Sequence, residues 1–340
     1  MSDPIVVSVG EALYDMLANE RDVPKEEVKS WEPYPGGAPV NVVTGVSRLG
    51  LHGVILAALG EDKLGSDFIE LLKSRDVNVE GVQTIPGRKT RDILVTRTSD
   101  GDRTFAGFGS ESSSYADCFI EADKLPEHLI KEAAVVVSGT LGLVFPGSAA
   151  AMRRTVQLGK ASGATVIVDV NWRPVFWLDT HSEEESRATI LEYLKIADIV
   201  KVTDEEAEFL WGIPAKRALE HPEEVLAKAT DAKAVLVSAG EFGSAYAFRT
   251  PGGKQDVSGH VGVFKIKVAD TTGAGDAFLA GFIYFCLKAG GLQALVADPD
   301  KALEAVRFAT ACGAFTCTGP GAIGSQPTPA DAEKLLAENP

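Results

Sequence analysis

Six short runs rich in β-branched residues, at 5–9, 54–57, 133–138, 165–170, 199–202 and 234–238, punctuate this chain. Several are continuous apolar runs, such as Ala133-Ala-Val-Val-Val and Thr165-Val-Ile-Val, with no polar alternation. A strand without a polar face is covered on both sides, as in the middle of a parallel sheet. Stretches with helical spacing lie between and beyond these runs, at 40–49, 66–74, 149–161, 183–195, 204–210, 223–229, 275–288 and 301–317. Pro39 suits a first helical turn, and Gly50 falls just past the end of the same helix. Strand, helix, strand in succession implies right-handed crossovers and an α/β fold, with helices flanking a mainly parallel central sheet. No repeat or linker interrupts the pattern, so residues 1–340 are expected to form a single domain.

Two stretches break the rhythm. Residues 91–97 and 103–108 flank Thr98-Ser-Asp-Gly-Asp102, whose Asp-Gly pair predicts a β-hairpin. Residues 13–36 are polar and proline-rich and lead into Pro33-Tyr-Pro-Gly-Gly37. Both are expected to leave the main sheet, as lid strands inserted at about 13–36 and 88–110. Such a flap offers a sheet surface to a second copy, which makes a homodimer through the lid an expectation.

Composition narrows the function. A formal net charge of −15 argues against nucleic acid and anionic membranes as partners. An anionic ligand would need local cations or dipoles. The four cysteines form no CxxC pair and read as thiols in a reducing compartment. The five histidines form no HExxH, which argues against zinc. The first strand begins at Ile5 and no run of about 18 apolar residues occurs, so a cytoplasmic location is expected.

The most suggestive segment is Val268-Ala-Asp-Thr-Thr-Gly-Ala-Gly-Asp-Ala-Phe-Leu-Ala-Gly-Phe282. Gly273, Ala274 and Gly275 run straight into an apolar helix pattern, with Asp276 in its first turn. The first four N–H groups of a helix lack internal partners, so a loop with minimal side chains gathers donors where a phosphoryl group could sit. An acid repels an anion placed beside it; accepting a proton from an attacking hydroxyl would give Asp276 a reason to be there. The plainer alternative is a turn followed by an acid that the helix dipole favours.

Parallel sheets bind ligands beyond the carboxyl ends of their strands, and polar residues gather there. Glu11 and Asp15 follow the first strand, Asn171 and Arg173 follow 165–170, Thr203 and Glu206 follow 199–202, and Gly240 and Gly243 follow 234–238. Gly36-Gly-Ala-Pro-Val-Asn41 reads as a second tight loop opening a helix. Taken singly, each is an ordinary cap or turn residue. Gly87-Arg-Lys-Thr90 imitates a P-loop, but a strand rather than a helix is expected after it; Gly273-Ala-Gly275 lacks the third glycine of a dinucleotide fingerprint.

These motifs together resemble the ribokinase-like (PfkB) carbohydrate kinase family. Gly36-Gly-Ala-Pro-Val-Asn41 and Asp270-Thr-Thr-Gly-Ala-Gly-Asp276 resemble its two signature regions. Gly60-Glu-Asp-Lys-Leu-Gly65, Asp100-Gly-Asp-Arg103, Asp169-Val-Asn-Trp-Arg173 and Val237-Ser-Ala-Gly-Glu-Phe-Gly243 fit between them. Gly36-Gly-Ala-Pro and Lys201-Val-Thr-Asp-Glu-Glu look most like the fructokinase branch.

The resemblance implies a three-layer fold with a small β-sheet lid, and transfer of the γ-phosphoryl of ATP to a primary hydroxyl of a monosaccharide, with fructose the first expectation. It implies Asp276 as general base and Gly273, Ala274 and Gly275 as anion hole. Asp15, Gly37, Asn41 and Arg103 would meet the sugar, with Asn171 and Arg173 beside them. Ser238, Gly240, Gly243 and Thr272 would lie along the nucleotide, and Ala309, Cys312 and Gly313 near the adenine. Glu206 would organise Mg²⁺ through water; Thr203 stands where the family has asparagine. Asp270, Thr272, Gly321 and Ser325 match the surroundings of a K⁺-type cation. Ribose, a 2-keto-3-deoxy sugar acid or a nucleoside remain alternative acceptors, and a non-catalytic sugar or nucleotide sensor is the alternative of another class.

Overall fold

The computed structural model describes residues 4–98, 103–252 and 256–339. Nine strands form the main sheet: β1 (Ile5–Val9), β4 (His52–Gly60), β5 (Val82–Ile85), β8 (Ala133–Ser138), β9 (Thr165–Asp169), β10 (Ile199–Thr203), β11 (Ala234–Ser238), β12 (Ser244–Phe248) and β13 (Val257–Val261). Their order is β13-β12-β11-β10-β9-β8-β1-β4-β5. Pairing is parallel from β5 to β11, whereas β12 and β13 add antiparallel strands at one edge. Four more strands, β2 (Leu13–Arg21), β3 (Trp31–Gly36), β6 (Arg91–Arg97) and β7 (Arg103–Phe108), build a separate sheet in the order β3-β2-β6-β7.

The expected parallel strands are present. β4 runs further than expected because its pairing with β5 recruits Ala58, Leu59 and Gly60, residues with little strand preference of their own. β12 and β13 were not expected: Ser244-Ala-Tyr-Ala-Phe and Val257-Ser-Gly-His-Val are short and of mixed polarity, and β13 gains its place only by pairing at an edge.

Helices cover both faces, and the alternation of strand side chains sorts the core into two apolar layers. Val7, Leu56, Val136, Val168, Val200 and Val237 point to one layer. Val6, Ile55, Val137, Ile167, Ile199 and Leu236 point to the other, beneath the helix Ala274–Lys288. On that second face the next positions of β9 and β10 are Asp169 and Lys201, both buried. Two charges thus interrupt the apolar layer where it reaches the sheet's carboxyl edge.

The lid folds back over the same edge. β6 and β7 form the expected hairpin; its turn, residues 99–102, lies outside the described residues. Alternation along β2 turns Leu13, Asp15 and Leu17 toward the cleft, joined by Ile93, Val95 and Phe105. The lid is fastened at its base by Arg91. This wholly buried guanidinium donates from Nε and Nη2 to Asp117 at 2.7 and 2.9 Å.

Candidate active site

Between lid and sheet lies a cleft of about 1240 Å³. That exceeds the roughly 300–1,000 Å³ of a typical single-ligand site, so the cleft has room for two small molecules side by side. Its floor is the start of the helix Ala274–Lys288. Gly273 occupies the N-cap position at φ +78°, a left-handed conformation, and a Cβ there would fall 2.3 Å from that of Ala322. Among the described residues no side chain caps this helix. The Ala274 N–H donates to Thr271 O at 3.2 Å, so Gly275 and Asp276 supply the first-turn donors that no intrahelical carbonyl can reach.

Asp276 lines the cleft beside these amides. Asn41 Nδ2 donates to its Oδ2 at 2.7 Å, joining the second signature region to the first. Burial, and next the nearby Asp169, push its carboxyl up to about 6, against the opposing pull of Lys201, Asn41 and Arg173. Such a group is ionised at neutral pH yet basic enough to take a proton. Gln326 Nε2 donates to Asn41 O at 2.6 Å and fixes that helix from the far side.

The sugar-side residues expected from sequence come together here. Asp15, Gly37, Asn41, Asn171 and Arg173 all line the cleft. Gly37 has φ +108°, and a Cβ on it would meet Glu11 O at 2.5 Å. Arg173 donates from Nη1 to Trp172 O and keeps its charge in the cleft. The Arg103 side chain lies outside the described residues.

Ser238, Gly240, Gly243, Thr272 and Gly313 line the other end of the cleft. Ala309 and Cys312 do not. The helix Pro299–Thr316 and its cap border the cleft through Thr310, Gly313, Ala314 and Cys317, whereas Ala309 and Cys312 are wholly buried in the core. Cys312 packs instead against Gly281, where a Cβ would come within 2.7 Å of its sulfur. Val263, Phe264, Ile266 and Val268 add an apolar wall that the sequence reading missed, because they belong to no regular element.

Glu206 is buried and already engaged: Oε1 accepts from Trp172 N–H at 2.7 Å and Oε2 from Thr203 N–H at 2.8 Å. Thr203 caps Glu206 N–H in return, a capping box that explains a threonine at this position. Asp270 Oδ1 accepts from Thr272 N–H and Oγ1, and Oδ2 from Gly321 N–H, so one carboxylate ties the two late loops together. Ser325 Oγ donates to Pro320 O in the second of them.

Two further features belong to this site: Glu11, which the sequence placed at this strand edge without a role, and a charged pair that it did not foresee. Glu11 is buried, its Oε1 accepting from Ala38 N–H at 3.1 Å and its Oε2 without a partner among the described residues; burial pushes its carboxyl up to about 8. Lys201 and Asp169 form a buried ion pair at 3.0 Å. A charge inside a strand otherwise written in Val and Ile was the available signal, since such a charge needs a partner.

A lidded α/β domain with helix-start amides and an acid on one cleft floor has the layout of a small-molecule phosphotransferase. The description "pfkB family carbohydrate kinase" matches residues 4–329, and the chain belongs to this family as an ATP-dependent carbohydrate kinase. It is 37% identical to Fructokinase-1 of Zea mays over 335 residues, covering 98% of this chain and 97% of that one. Its fold is similar to fructokinase of Xylella fastidiosa with bound ATP, at TM-score 0.84 and 26% identity over 98% of each chain. It is also similar to fructokinase of Vibrio cholerae O395 in its fructose-, ADP- and calcium-bound form, at TM-score 0.79 and 25% identity, covering 99% of this chain and 100% of that one.

Proposed function

We propose that this kinase phosphorylates a primary hydroxyl of fructose, with Asp276 as general base and the amides of residues 273–275 as anion hole. One observation carries the reading: Asp276 stands beside helix-start amides, of which those of Gly275 and Asp276 lack a partner among the described residues, at the floor of a cleft closed by a lid. The sugar would lie under the lid against Asp15, Gly37, Asn41, Asn171, Arg103 and Arg173. ATP would lie along Ser238, Gly240, Gly243 and Gly313, its base against the apolar wall, as the relatives that bind ATP or ADP support.

Asp276 accepts the proton of the attacking hydroxyl as its oxygen bonds to the γ-phosphorus and the bond to the β,γ-bridging oxygen breaks, releasing ADP. The helix-start amides meet the charge on the equatorial oxygens. The lid keeps water, a competing acceptor, away from the γ-phosphoryl. Among the described residues no cluster of three metal-ligating side chains exists, so Mg²⁺ would enter on the nucleotide, with Glu206 reaching it through water. Bound there, Mg²⁺ would neutralise phosphate charge. The loops joined by Asp270 are where K⁺ would sit, near Thr272, Gly321 and Ser325.

The test is ADP release from MgATP with a panel of sugars, for wild type and Asp276→Asn. Fructose should give the fastest release, and the variant should lose about 10²–10⁴-fold in rate while remaining folded. Near-normal turnover in Asp276→Asn would remove the base; a faster rate with ribose or a sugar acid would reassign the acceptor.

A further inference from the structure

Lys201 and Asp169 sit directly opposite each other on β10 and β9, on the face covered by the helix Ala274–Lys288. Lys201 Nζ lies 3.0 Å from Asp169 Oδ1 and donates to Oδ2 at 3.1 Å. Its ammonium also reaches the underside of the anion loop: a Cβ on Gly275 would be 3.1 Å from Nζ. Lys201 lines the cleft together with Gly275 and Asp276. An ammonium has three donors, and among the described residues Asp169 is the hydrogen-bond partner of this one. Burying a pair with donors left over is a poor way to stabilise a sheet, where apolar residues of the same volume do as well or better. The pair therefore calls for a reason outside stability.

We propose that Lys201 is a positioning residue for phosphoryl transfer: held by Asp169 beside the Gly275 Cα, its ammonium keeps Asp276 ionised and adds positive potential to the anion loop. The inference rests on the reading of Asp276 as base. Asp276 is faced by Asn41 from the first signature helix, Glu11 from the end of β1, Asp169 from β9, Lys201 from β10 and Arg173 from the loop after β9. Lys201 is the cation among these that comes from the sheet beneath. The charge balance follows. With Lys201 neutralised, Asp169 is left unpaired near Asp276, and both changes disfavour the carboxylate.

The experiment follows the Asp276 carboxyl carbon by NMR in ¹³C-aspartate-labelled protein, its resonance assigned by loss in Asp276→Asn, alongside kcat and KM for MgATP and fructose. In Lys201→Met the Asp276 titration should move up by about one pH unit. The acid limb of kcat/KM should move with it, and kcat at pH 7 should fall about tenfold or more, with both KM values changed far less. The double variant Asp169→Asn/Lys201→Met removes both buried charges, so it tests the idea even if the single variant fails to fold. Its Asp276 should titrate at or below the wild-type pH, while kcat stays about tenfold low because the loop has lost its cation. An unmoved Asp276 titration in Lys201→Met, or wild-type kcat in the double variant, overturns the proposal. A fully active Asp276→Asn sinks the underlying base assignment instead, and the titration distinguishes the two failures.

Discussion

Among the described residues two ion pairs are buried on both sides, one at the base of the lid and one at the floor of the cleft, and they are built differently. Arg91 is wholly enclosed: besides its two bonds to Asp117 it donates to Ser112 Oγ and Ser112 O at 3.2 and 3.0 Å. The rings of Tyr115, Phe176, Phe145 and Phe108 surround the guanidinium at 4.6–5.4 Å. Each of its three nitrogens donates, two of them to Asp117 in the bidentate geometry that suits arginine. Lys201 has Asp169 and, beyond it, acids it influences at longer range, Glu206 and Asp276. Burial alone would lower its pKa, and those three acids instead hold it above the ordinary lysine value. Dense bonding in a closed pocket makes a fastening, whereas spare charge beside a cleft makes a tool.

The largest expected effect breaks the fastening. Arg91→Met leaves Asp117 charged in an apolar surround, and chemical denaturation should register a loss of about 3–5 kcal/mol. Arg91→Met/Asp117→Leu should recover most of that loss, because neither charge is then stranded. Should the single variant prove as stable as wild type, the lid is not fastened there and the contrast between the pairs disappears.

A smaller effect of opposite sign belongs to the floor. Asp276 titrates at about 6 rather than 3.8, and Glu11 at about 8 rather than 4.5, so both bind protons more tightly folded than unfolded. A raised carboxyl favours the fold at low pH. Its contribution fades as pH climbs through the interval between the two values. Between pH 4 and 8 the denaturation midpoint should therefore drift downward from these two groups. Asp276→Asn should be more stable than wild type at pH 8, by about 1–3 kcal/mol, while losing activity. Equal stability at that pH would mean the floor is not strained by its acid. Glu11→Gln should flatten the same drift over its wider window.

How much of this was legible in the sequence follows the same division. Continuous Val and Ile runs marked the parallel strands because local composition and burial on both faces coincide there. The glycine loop with Asp276, and Asn41 a turn into its helix, were legible because their chemistry depends on neighbours in the chain. The pairings of Lys201 with Asp169 and of Arg91 with Asp117 span 32 and 26 residues and exist only through sheet register and lid closure. Ala309 and Cys312 were placed near the adenine from their position in the motif; the helix turns them into the core, and Thr310 and Ala314 border the cleft in their stead.

The smallest expected effect separates a satisfied acid of the floor from an unsatisfied one. Glu206 has an N–H on each oxygen, one of them from Thr203, whose own hydroxyl closes the box on Glu206 N–H at 3.0 Å. Thr203→Ala removes that hydroxyl and should cost about 1 kcal/mol in the denaturation midpoint, the usual size for a lost N-cap. It leaves Asp276, Lys201 and their surroundings in place, so the Asp276 titration should stay within about 0.2 units of wild type, far less than a neighbouring charge produces. A cap variant that moved this titration as much as Lys201→Met does would show that the carboxylate responds to the packing of β10 in general. The ammonium would then lose its separate role, and the two buried pairs would differ only in where they sit.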